Sequence, residues 1–90
     1  MDALDSYMDP LRSYMSADFL ATRKSLGLTQ AQMAELLDID LRSYADLEHG
    51  KNLCCTRVLL LYLTRCRRDR DGFLDEIGTV LKTAEDELAG

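Results

Sequence analysis

Tryptophan is absent from this 90-residue chain, proline occurs once, glycine five times, and aromatic residues make up only 7%. So few turn formers and ring side chains leave little from which to build hairpins and sheets, and the composition is that of a helical protein. Long apolar runs are also missing. The longest, Val58–Leu63, has six residues, whereas a membrane span needs about 20. No basic start followed by an apolar stretch marks a signal peptide. The three cysteines cannot all pair, which argues against a secreted disulfide scaffold and for a reducing cytoplasm. There is one histidine, no C-x-x-C pair, no glycine-rich phosphate loop and no nucleophile–base set. Neither an enzyme nor a metal or cofactor site is therefore expected. Cys54, Cys55 and Cys66 read as ordinary core or interface thiols, and His49, near a helix end, as a partner of the helix dipole.

What is present is enough apolar matter, 47%, for one small folded domain. The net charge of −5 conceals a pattern: −1 over residues 1–28, −4 over 29–50, +4 over 51–71 and −4 over 72–90. Bulk charge will not attract nucleic acid, so any such binding must use a local patch. The cluster Arg65, Arg67, Arg68 and Arg70 is expected to pair with the acidic last helix or a partner. Arg67 is expected to matter less for stability than Arg23.

Apolar residues recur at helical spacing throughout, and no segment alternates long enough for a strand. Asp9-Pro10 reads as an N-cap and first helical residue, opening a segment whose stripe is Leu4, Met8, Leu11, Met15 and Phe19. That stripe either covers the core or meets a partner. The next helix runs from about Ser16 to Leu26 and ends at Gly27. Thr29 caps a helix over about Gln30–Leu37, and Asp40 caps another over about Leu41–His49 that buries Tyr44 and Leu47 and stops at Gly50. Thr56 caps a leucine-rich helix to about Arg67, expected to be the most buried element. Asp71 starts the last, to Leu88, with the stripe Phe73, Leu74, Ile77, Val80, Leu81, Ala84 and Leu88.

Two short capped helices joined by three residues form a helix-turn-helix pattern. The stretch from Arg23 to Gly50 carries Leu26-Gly-Leu-Thr-Gln30, Ala34 where the helices cross, Ile39 in the turn, Tyr44, Leu47 and then Glu48-x-Gly50. It resembles the lambda-repressor-like, Cro-type (xenobiotic-response-element) family of bacterial and phage DNA-binding domains, over about Ala17–Leu63. The resemblance implies an all-α, compact bundle of five or more helices around a central helix-turn-helix. Residues 1–15 would be a helical extension, 16–68 the DNA-binding domain and 69–90 an amphipathic dimerisation helix. The family usually has glycine where Asp38 stands, because the turn takes a left-handed residue there. Aspartate tolerates that conformation better than most.

The resemblance also assigns roles. Arg23 and Glu48 form a structural ion pair. Leu41, Arg42, Ala45 and Asp46 face the major groove, with Arg42 suited to guanine O6 and N7 and Leu41 to a thymine methyl. Asp46 is unusual: it could accept from cytosine N4, or repel phosphate. Gln30, Ser43, Lys51, Asn52 and Arg57 are the phosphate contacts. The function implied is a cytoplasmic, sequence-specific transcription regulator, a repressor or autorepressor, that reads double-stranded DNA as a homodimer. Phe73, Ile77, Val80, Leu81 and Leu88 would form the dimer contact. Two rivals are a protein-interaction module that keeps the fold with little DNA affinity, suggested by the acidic 29–50 stretch, and an antitoxin-type autorepressor with a protein partner.

Overall fold

The computed structural model describes residues 3–67 and 69–89. It consists of α1 (Ala3–Leu26), α2 (Gln30–Leu36), α3 (Leu41–Glu48), α4 (Thr56–Leu61), a π-helical turn over Tyr62–Cys66 continuing α4, and α5 (Arg70–Ala89), with no strand among the described residues. The fold is all-α. Helices α2 and α3 pack on each other and α3 on α1, while α5 lies along the other side of α1.

The centre is aromatic. Phe19, Tyr44, Tyr62 and Phe73 are essentially inaccessible, as are Met33 and Leu37. The Phe19 ring lies 4.6 Å from that of Tyr62, 6.1 Å from that of Tyr44, and Tyr62 lies 6.3 Å from Phe73, all tilted or edge-on. Such geometry sets the negative face of one ring against the positive edge of the next. α1, α3, the π-helical turn and α5 each donate one ring, so burying the four joins the helix-turn-helix to the helices on either side of it. Ala34, 3% exposed, is small enough for α2 to approach its neighbours closely.

Several expectations need correction. Asp9-Pro10 does not start a helix: α1 runs unbroken through Pro10. Proline removes the hydrogen bond to the carbonyl four residues earlier, but packing outweighs that loss. Met15 and Phe19 are buried, and Pro10 lines one groove with Val80 and Ala84 of α5. Asp9 pairs instead with Arg12, one turn on. The proposed division between residues 15 and 16 therefore falls inside a continuous helix, and the α1 stripe covers the chain's own α5. The side chain of Leu4, counted in that stripe, lies outside the described residues.

Thr56 does not cap α4. Cys55 holds the N-cap position without a side-chain cap bond, and Thr56 is the first helical residue. Nor is the leucine-rich helix the most buried element, since Leu60 is 58% exposed. Consecutive leucines point to every side of a helix: Val58, Tyr62 and Cys66 are buried, while Leu59, Leu61 and Leu63 are half-buried against the core. A spacing of four overshoots an α-helical turn by about 40°. The wider π-helical turn, closed by Arg67 N–H donating to the Tyr62 carbonyl at 2.8 Å, reverses that drift and keeps Val58, Tyr62 and Cys66 on one side. The start of α5 is set by Asp69, not Asp71: its carboxylate accepts from the Gly72 N–H at 3.1 Å.

Arg67 is no surface residue. It donates to the Asp18 carboxylate, to Tyr14 Oη at 3.0 Å and to Glu76 Oε2 at 3.0 Å, and its guanidinium lies 5.3 Å from the centre of the Phe73 ring. Its side chain and that of Asp18 are 14% and 12% exposed. The Tyr62 hydroxyl donates to the same Asp18 and lies 2.8 Å from Thr22 Oγ1. One charged cluster thus ties α1, the π-helical turn and α5 together. Arg68 lies outside the described residues.

Candidate nucleic-acid interface

α2 begins with a reciprocal cap. The Thr29 hydroxyl accepts from the Gln32 N–H at 3.1 Å, and Gln32 Oε1 accepts from the Thr29 N–H at 2.9 Å. At the other end Asp38 takes φ +56°, the left-handed conformation in which glycine is usual. This lets the Asp38 and Ile39 amides turn back to the carbonyls of Glu35 and Ala34, both within 3.1 Å. Arg57 secures the turn from outside, bonding Asp38 Oδ2 at 2.9 Å and the Asp38 carbonyl at 3.2 Å. Asp40 then caps α3: its carboxylate accepts from the Ser43 N–H at 2.7 Å and from the Ser43 hydroxyl at 3.1 Å. These bonds pull the Asp40 carboxyl below its ordinary value.

The rotation of α3 is fixed by Tyr44 and Leu47, buried beneath it. Leu41, 50% exposed, and Arg42 and Ser43 consequently face outward, with Ala45 and Asp46 half-buried beside them. The far end of α3 is clamped. Arg23 Nε and Nη2 donate to the two oxygens of Glu48, each at 2.8 Å, while Nη1 donates to the Leu28 carbonyl at 3.0 Å. The Glu48 side chain is 6% exposed. Burial alone would raise its carboxyl. Arg23, the Tyr44 hydroxyl and the Gln30 amide outweigh that and hold it at about 2. Ser16, on α1, donates to the Glu48 carbonyl.

The phosphate candidates stand differently from one another. Lys51 and Asn52 are exposed, and Lys51 Nζ lies 3.9 Å from Asp46 Oδ1. Gln30 donates one amide hydrogen to Glu48 at 3.3 Å, Ser43 directs its hydroxyl at Asp40, and Arg57 is held by Asp38. Arg42 makes no ion pair among the described residues. These pairings change the meaning of the acidic 29–50 stretch. Three of its five acids, Asp38, Asp46 and Glu48, are matched by Arg57, Lys51 and Arg23 from outside it, so its excess of acid falls from four to one. Besides capping α3, Asp40 orders the Ser43 hydroxyl across the first turn of the helix.

The dimerisation candidates are not brought onto one free surface. Phe73 is 1% exposed in the single-chain core and is excluded from an outward contact. Ile77 packs on that core, Val80 lies beside Pro10, and Leu81 is half-buried. The Leu88 side chain lies outside the described residues. Leu74, 61% exposed, was the residue passed over, because in sequence it belongs to the same apolar stripe as Phe73.

No group of three metal-ligating side chains occurs among the described residues. The cysteines range from exposed Cys55 to buried Cys66.

A capped helix, a left-handed turn and a second helix with one exposed edge, braced by α1 and α4, define a helix-turn-helix. Residues 20–53 match the Helix-turn-helix family model. Over this segment, a little over a third of the chain, the match is to the lambda-repressor/Cro-like helix-turn-helix, a domain that suggests a DNA-binding transcription regulator. No curated protein and no solved structure matches the chain. No described helix is long and apolar enough to cross a membrane.

Proposed function

We propose that this chain is a sequence-specific DNA-binding regulator, a repressor or autorepressor, that reads a two-fold operator as a homodimer. The observation that carries this reading is the outer edge of α3. Leu41 and Arg42 stand exposed on a helix whose other side is locked by Tyr44, Leu47 and Glu48. A base-reading helix must be held rigidly while its groove-facing side chains stay free, and Arg42 has no intramolecular charge partner among the described residues. Lys51 and Asn52, just beyond α3, supply phosphate contacts. The pair Arg57–Asp38 is exposed, and Lys51 is an exposed cation 3.9 Å from the half-buried Asp46, so both cations are free to exchange for phosphate. One such module makes few base contacts, and pairing two across a palindrome doubles them.

Selection of binding sites from random duplex DNA at low salt tests this. An enriched palindrome is expected, with half-sites centred about 34 Å apart or a multiple of that. Arg42→Ala should relax preference at one base pair of each half-site by about 1–3 kcal/mol. The absence of any enriched sequence favours the interaction-module reading instead.

A further inference from the structure

Two features of α5 have no role within the single chain. Leu74 is 61% exposed, the most exposed of the large apolar side chains among the described residues. Gly78 sits inside the helix, where glycine weakens it, yet a Cβ added there would meet nothing within 4 Å. No neighbour in the fold requires its small size. Leu74, Gly78 and Leu81 follow one another at helical spacing, about a quarter-turn from the buried line of Phe73, Ile77, Val80 and Ala84. Arg70 stands at one end of this stripe and Glu85 at the other, both exposed. At the Arg70 end a shallow depression of about 390 Å³ is lined by Asp69, Arg70, Asp71 and Leu74.

We propose that this stripe is a self-complementary seam on which α5 of a second copy packs antiparallel, with Leu74 against the partner's Leu81 and Arg70 facing the partner's Glu85. The inference rests on the homodimer reading above and gives it a surface and an orientation. Leu74 with Leu81, and Arg70 with Glu85, are both centred between Ile77 and Gly78. A two-fold axis beside Gly78 therefore matches both pairs at once, as an isologous interface requires. Gly78 then lets the two backbones approach closely at the axis. Lys82, on the outer flank, comes opposite the acidic side chains Asp71 and Asp75. A parallel arrangement would set Arg70 against Arg70 and Glu85 against Glu85. From Arg70 to Glu85 the seam runs about 23 Å along a single helix. One helix face per protomer buries less area than an obligate interface does, so the dimer dissociates reversibly in the micromolar range.

Sedimentation equilibrium of the full chain tests the proposal, with circular dichroism as the check on folding. The unaltered chain is expected to be dimeric at high micromolar concentration. Arg70→Glu and Glu85→Arg, both at exposed positions, should each raise the dissociation constant about tenfold or more, since each turns two attractive pairs into repulsive ones. The double variant, and an equimolar mixture of the two single variants, should regain affinity. Leu74→Asp should leave a monomer. A dimer indifferent to both charge reversals and to Leu74→Asp overturns the seam but not the dimer reading. A monomer at every concentration overturns both, and DNA binding, measured separately, stands or falls by itself.

Discussion

Two arginines, far apart in sequence, do the same work. Arg23 neutralises Glu48 at the end of α3, and Arg67 neutralises Asp18 where α5 joins α1. In both cases truncation strands a carboxylate that is at most 12% exposed. Breaking a buried pair in this way costs about 3–5 kcal/mol. Arg23→Ala and Arg67→Ala should therefore lower the urea midpoint by similar, large amounts, whereas Lys24→Ala, at an exposed position, should leave it nearly unchanged. Sequence reasoning ranked Arg67 below Arg23, because its Asp18 partner lies 49 positions away and no local pattern announces it. Acid should expose the Glu48 pair too. Its folded carboxyl is held at about 2, against 4.5 ordinarily, so its stabilisation is complete above the ordinary value and is lost as pH falls from about 4.5 to 2. Unfolding midpoints measured across that window should fall more steeply for the unaltered chain than for Glu48→Gln.

Helix limits were decided by competition between local signals and packing. The signals at Thr29, Asp40 and Gly27 agree with the tertiary structure: each cap accepts or turns as its residue type favours, Gly27 with φ +69°. Asp9-Pro10 gives an equally good local signal and is overruled, because α5 lies along α1 there. Asp71 is overruled by Asp69, which reaches the Gly72 N–H. Asp69→Ala should accordingly cost about 1 kcal/mol in thermal or urea unfolding. Asp71→Ala, two residues too late to cap, should cost only the few tenths that an acidic side chain contributes near a helix N-terminus. The π-helical turn leaves no trace in composition. It follows from the need to bury Val58, Tyr62 and Cys66 on one side.

For the molecule as a whole, the decisive quantity is the potential over the outer edge of α3. The sequence count of −4 for residues 29–50 would repel DNA, but folding brings three cations against it. Lys51 has two parts here, beside Asp46 and beside the expected phosphate path. Lys51→Ala should weaken binding to all sequences alike and lower the slope of log affinity against log salt by about one unit. Asp46→Asn separates the two readings of that acid in the same titration. A uniform gain in affinity means that the carboxylate only repels phosphate, and a loss confined to sites with a C·G pair means that it reads cytosine.

Composition and spacing determined the all-α class, the helix-turn-helix pattern and the buried side of its second helix. Those depend on signals within a few turns of chain: caps, a left-handed turn residue and the positions of Tyr44 and Leu47. The tertiary structure decided what depends on contacts between distant segments. It placed Phe73 in the core and left Leu74 outside, although both lie on one apolar stripe, because α1 covers only part of the helix circumference. It buried Arg67 and paired the acids of residues 29–50, because charge is counted along the chain but acts through space.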